Sequence, residues 1–148
     1  MHPIARNFLA VLLGLVLGSM VNMALVMVSG HIIPPPEGAD TSTMEGLQAA
    51  IPLFEPKHFI FPFLAHALGV VVAAYLVTVI AASRHFVLAM TAGGIFLLGG
   101  IANVMMLPSP MWFNVLDLVG AYIPMAWIGW RIGRKLDEPK EGADNISG

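Results

Sequence analysis

Four strongly polar side chains stand where an apolar chain rarely carries them: Asn22, His66, Asn103 and Asp117 each interrupt a long hydrophobic run. A carboxylate or imidazole in such a run is a functional candidate by default, because hydrocarbon neither solvates charge nor completes hydrogen bonds. The His66–Asp117 couple suits three chemistries. Histidine titrates near neutrality, so with a carboxylate beside it it could relay protons. The pair could also act as general acid and base, although no convincing nucleophile accompanies it; Ser19, within one helical turn of Asn22, is an accessory candidate. Third, His66 and Asp117, joined by Glu55 or His58, could hold a divalent metal. No HxxxH or HExxH spacing supports that use, so neither a metal nor another cofactor is expected. Met20, Met23, Met27, Met105, Met106 and Met111 are soft ligands of the kind Cu(I) takes, but methionines in helices read first as packing.

The elements that must position these groups are membrane spans. Of 148 residues, 57% are hydrophobic and 11% charged, where soluble domains carry about 25% charge. With a mean hydropathy of +0.81, the composition belongs to the membrane class. Apolar stretches at about 8–28, 59–82, 86–107 and 112–130 each approach the ~20 residues that a helical crossing needs. Helices are expected because open strands leave backbone groups unpaired in lipid. Arg6, Arg84, Arg131, Arg134, Lys135 and Lys140 fall on one side of such a bundle, and only Lys57 falls on the other. The positive-inside rule then places both termini in the cytoplasm of a plasma-membrane protein. Trp112 and Phe113 suit the outer interface, and Trp127 and Trp130 the inner one. The first stretch is longer than the apolar core of a signal peptide, and "VMVSGH" is a poor cleavage site, so it reads as a retained span. Cysteine is absent, which excludes disulfides and thiolate chemistry.

The outer segment 29–58 is the one long connection. Its "HIIPPPEGAD" reads as extended, since consecutive prolines exclude helix. Ser42 and Glu45 have capping-box spacing, and Met44, Leu47 and Ile51 share a face, predicting a short amphipathic helix over 43–51. It is a spacer packed over the helix ends or, alternatively, a lid over a cavity. Residues 136–148 form a polar tail expected to be disordered, and its Asn145-Ile146-Ser147 sequon falls on the cytoplasmic side.

Two halves of the chain resemble each other. Gly18-x-x-x-Asn22 aligns with Gly99-x-x-x-Asn103, and His66-x-x-Gly69 with Asp117-x-x-Gly120, a pattern consistent with a tandem parallel two-helix repeat. Helical rise places all four polar residues within roughly 6–11 Å of the outer boundary. The expectation is one polar layer in which His66 and Asp117 hydrogen-bond and the asparagines complete the network. Small residues at Ala10, Gly14 and Gly18, and at Ala65, Gly69 and Ala73, predict close helix packing. Pro62 and Pro124 are candidate kinks in spans two and four. The expected fold is an all-α, integral membrane four-helix bundle, with 1–135 as a single domain. The expected function is that of a non-catalytic assembly partner or small-ligand binder. The alternative is a transporter, proton-linked protein or enzyme built on His66 and Asp117. Expected partners are the bilayer and a second copy or another membrane protein. P-loop, dinucleotide and nucleic-acid motifs are absent.

Overall fold

The computed structural model describes residues 2–137, whose regular elements are all helices, with no strand among them. In chain order the helices are α1 (Pro3–Ile32), α2 (Met44–Ala50), α3 (Ile60–Ile80), α4 (His85–Met106), α5 (Met111–Gly120) and α6 (Ile123–Asp137). Single 3-10 turns at Ile51–Leu53 and Pro56–Phe59 lead into α3. Four segments are long and apolar enough to cross a membrane: Pro3–Ile32, Pro56–Ile80, His85–Met106 and Met111–Leu136. The polar tail expected to be disordered lies almost wholly outside the described residues.

α1 overruns its expected 8–28 span at both ends, for local reasons. Pro3 occupies a first-turn position, where its missing N–H costs nothing, and the His2 imidazole accepts from the Ile4 amide at 3.3 Å. Helix then continues through His31 and Ile32, which were expected to be extended, and stops two residues before Pro34, with Ile33 as its C-cap.

α3 is the centre of the bundle, packed against α1, α4 and α6, whereas α1 touches α4 only sparsely. Small residues permit these approaches. A Cβ built on Gly18 would stand 2.5 Å from the Gly69 carbonyl oxygen, and one on Gly14 would stand 2.8 Å from the Ala73 carbonyl oxygen. Both obstacles are backbone, so neither can swing aside. A Cβ on Gly93 would meet the Ala126 methyl at 2.5 Å, where α4 crosses α6. The small-residue face of α1 is therefore consumed by α3.

The fourth stretch departs from expectation most. Instead of one helix over 112–130, α5 ends at Gly120 and α6 begins at Ile123. Pro124 accounts for the break: its ring would clash with the carbonyl four residues earlier and its nitrogen carries no proton. Pro62 sits in the first turn of α3, where neither objection applies, and α3 continues through it.

The connection between α1 and α3 folds over the ends of α3, α4 and α5. α2 covers 44–50 rather than 43–51, and its N-cap is Thr43, whose hydroxyl accepts from the Gly46 amide at 3.0 Å. Ser42 is unavailable for that role because its amide and hydroxyl both donate to Asp40, at 2.8 and 2.6 Å. Those bonds hold the Asp40 carboxyl below its usual range. Ile51, Phe59 and Phe113 form a small core with Leu47, Phe54 and Leu107 around it, and Gln48 donates to the terminal carbonyl of α4 at Met106 (2.8 Å). This is the arrangement of a spacer packed over helix ends.

The two Gly-x-x-x-Asn segments do not share equivalent surroundings. Gly18 is pressed against Gly69, whereas nothing lies within 4 Å of a Cβ on Gly99. Replacing Gly18 by Leu should therefore force α1 off α3, at a cost of about 1–3 kcal/mol or more. Gly99→Ala should be neutral or slightly stabilising, since alanine is the better helix former. Thermal unfolding of both variants in detergent checks the pair; equal melting temperatures would contradict this packing.

Candidate functional site

His66 and Asp117 meet. The imidazole Nδ1 lies 2.8 Å from one carboxylate oxygen of Asp117 and 3.0 Å from the other. An ionised carboxylate only accepts, so Nδ1 carries the proton and donates. The Tyr122 hydroxyl donates to the second oxygen at 2.9 Å. Its ring lies beside the imidazole, with centroids 5.7 Å apart and planes 29° from parallel. Asp117 and Tyr122 are buried, at 3% and 1% exposure, while His66 is half-buried.

The helix break positions the third member. Tyr122 follows Asp117 by five residues, which in an uninterrupted helix would turn the two side chains about 140° apart. The non-helical step at Ala121 and Tyr122 brings the hydroxyl back onto the carboxylate. Gly100 of α4 completes the fit: a Cβ there would collide with the Tyr122 hydroxyl and ring. Tyr122 was not among the expected site residues, because span four was read as a continuous helix.

The triad borders an open cleft of about 370 Å³. α1 contributes Leu15, Ser19 and Asn22; α4 contributes Ile95, Phe96, Gly99, Gly100 and Asn103; His66 and Tyr122 line it from α3 and from the turn before α6. Asp117 is not in the lining and acts through His66 and Tyr122. With Nδ1 engaged, the Nε2 edge of His66 has no protein partner among the described residues. Three of the four expected layer residues, Asn22, His66 and Asn103, thus border one space and Asp117 lies behind it, but the network is incomplete. Asn22 Oδ1 is buried with no hydrogen-bond partner among the described residues. Asn103 and Ser19 are exposed at the rim. A buried amide oxygen left unpaired costs about 1–3 kcal/mol, so one at the wall of a cleft asks for a donor from outside the chain.

Glu55 and His58 do not join this site. The His58 imidazole bonds to the Glu55 amide at 2.9 Å and to the Pro34 carbonyl at 3.2 Å, tying the proline segment to the turn before α3. Lys57 pairs with Glu55 at 3.0 Å, and that hydrogen bond holds the exposed Glu55 carboxyl below its usual range. No residue of 29–58 lines the cleft, so the outer segment is not its lid. No cluster of three or more His, Asp or Glu side chains that could hold a metal occurs among the described residues. Asn114 is a further polar residue the sequence did not single out. It is buried in α5, donates to the Ser109 carbonyl at 3.2 Å, and its own oxygen has no partner among the described residues.

Compared with known proteins, the chain matches no family model, no curated protein and no solved structure.

Two substitutions should act on the triad differently. Gly100→Ala displaces the Tyr122 hydroxyl from Asp117 by steric overlap, while Tyr122→Phe removes the donor and keeps the ring. Each leaves a buried carboxylate short of one partner, at a cost of about 1–3 kcal/mol. Because both damage the same bond, the double variant should lose less than the sum of the two single losses, the remainder being the overlap of the added methyl with the ring. Additive losses in melting temperature would mean that Gly100 and Tyr122 act independently.

Proposed function

We propose that the chain is a multi-pass plasma-membrane protein, both termini cytoplasmic, that binds a small, neutral, lipid-soluble molecule in the cleft between α1 and α4. The membrane placement is supported by the four long apolar helices. Its orientation is supported by the gathering of arginine and lysine at one end of them. The observation that carries the ligand is the unpaired, buried Asn22 oxygen beside His66 in a space of about 370 Å³, within the usual range for small-molecule sites. A hydroxyl head group fits both partners. It donates to Asn22 Oδ1 and accepts from His66 Nε2–H when the ring is doubly protonated; on the neutral ring, whose Nε2 accepts, its one proton serves one partner at a time. No lysine or arginine lines the cleft, so nothing there compensates a phosphate or a carboxylate. Leu15, Ile95 and Phe96 offer an apolar wall to the rest of the molecule.

A second reading is favoured by the His66–Asp117 bond itself: the bound molecule exchanges a proton with His66 while Asp117 steadies the imidazolium. In that case Asp117→Asn would retain the ligand but lose any pH dependence of its uptake or turnover.

Mass spectrometry of an organic extract of the purified protein tests the ligand reading. The wild type should retain a neutral amphiphile near one per chain. Asn22→Leu and His66→Gln should each retain about ten-fold less, the loss equivalent to one hydrogen bond. Gly94→Ala, whose added methyl meets nothing within 4 Å and lies outside the lining, should retain it fully. Equal retention by all four proteins, or none by any, would overturn the reading.

A further inference from the structure

We propose that a second pocket, at the opposite end of the bundle, is a binding site for the phosphate of an anionic lipid headgroup. It is open, measures about 540 Å³, and lies where the turn between α3 and α4 meets the last turns of α6. Arg84, His85 and Arg134 line it, together with Phe86, Val87 and Trp130. Among the described residues no carboxylate lines it.

The chemistry is cationic from three directions. Arg84 takes the left-handed conformation (φ 53°) at the N-cap of α4 and makes no side-chain cap. The first turn of α4 contains no acidic residue, so the amides and dipole of the helix start add positive potential to the same space. His85 Nδ1 donates to the Thr78 carbonyl at 2.7 Å, which leaves its Nε2 edge for other contacts. The Arg134 guanidinium lies over Trp130, 5.5 Å from the ring centroid, and Trp130 is braced edge-on by Phe86 at 4.9 Å.

The neighbouring polar groups are satisfied from elsewhere. Arg6 of α1 donates to the Ile80 carbonyl at 2.6 Å, and the Asn7 side-chain oxygen accepts from the Ala82 and Ser83 amides. The carbonyl end of α3 is thus served by α1, and the turn does not draw on Arg84. Arginine forks suit phosphate oxygens, and basic pockets at the cytoplasmic ends of spans take lipid headgroups. Phe86 and Val87 stand 46% and 57% exposed on the first turn of α4, so an apolar surface adjoins the charged one. A lipid uses both; inorganic phosphate would use only the charged one. This inference rests on the membrane placement and is independent of the cleft ligand.

The test is thermal stabilisation of the delipidated full chain in neutral detergent, titrated with phosphatidylglycerol, phosphatidylcholine or inorganic phosphate. Phosphatidylglycerol should stabilise saturably, and its half-saturating concentration should rise at least ten-fold in the Arg84→Gln, Arg134→Gln double variant. Arg131→Gln, an arginine stacked on Trp127 outside the pocket, should bind as the wild type does. Equal loss in Arg131→Gln would mean diffuse surface attraction and would overturn the site. So would unchanged binding by the double variant, which must first show a wild-type melting temperature without lipid. If it does not, Arg84→Gln alone replaces it under the same criterion. Stabilisation by inorganic phosphate equal to that by phosphatidylglycerol would overturn the lipid assignment.

Discussion

One carboxylate organises the half of the bundle that holds the starts of α3 and α5. Asp117 is buried on α5, and a buried charge is tolerated only when its oxygens are hydrogen-bonded. It receives two donors, His66 from α3 and Tyr122 from beyond the helix break, and so ties three segments of chain at one level. The break that Pro124 imposes is not a flaw in an otherwise regular helix. It turns an i, i+5 pair that would point apart into a hydrogen bond, and it seats the tyrosine ring against Gly100 of α4.

Packing then decides where the open space falls. α3 is flanked on two sides by small-residue crossings: Gly14 and Gly18 on α1, and Gly129 and Gly133 on α6, whose added Cβ atoms would all strike it. α1 is bound so closely to α3 that it stands apart from α4, and the cleft is the gap between them. His66 and Tyr122 are presented to that gap with their orientation fixed from behind by Asp117. Asn22 is presented to it with its oxygen unsatisfied. The polarity of the cleft is therefore a property of the fold rather than of any loop. The outer segment spends its apolar residues on the separate Ile51–Phe59–Phe113 core.

Much of this was legible in the residue pattern, because hydrocarbon-length apolar runs and helical rise are strong constraints. The four long helices were legible in the apolar runs, and the similar positions of His66 and Asp117 within theirs, with the need of each for a polar partner, anticipated their hydrogen bond. What escaped depended on tertiary choice. Tyr122 looked like one more aromatic residue in an apolar run, and only the broken helix gives its hydroxyl a role. Ser42 and Thr43 are equally good caps by type; the bond of Ser42 to Asp40 decided between them. Glu55 and His58 lie close to the site in sequence, but their mutual capping turns them toward the outer segment. The internal repeat is visible in residue letters and not in surroundings, since Gly18 and Gly99 face a backbone and an open space respectively.

The central claim is that Asp117 holds His66 through Nδ1 and thereby offers Nε2 to the cleft. Nitrogen-15 NMR of histidine-labelled protein in detergent reads this directly, with the His66 signals assigned among the five histidines by their loss in His66→Gln. The account predicts a protonated, hydrogen-bonded Nδ1 whose signal is perturbed in Asp117→Asn. A neutral ring carrying its proton on Nε2, with a bare Nδ1 indifferent to Asp117, would contradict it.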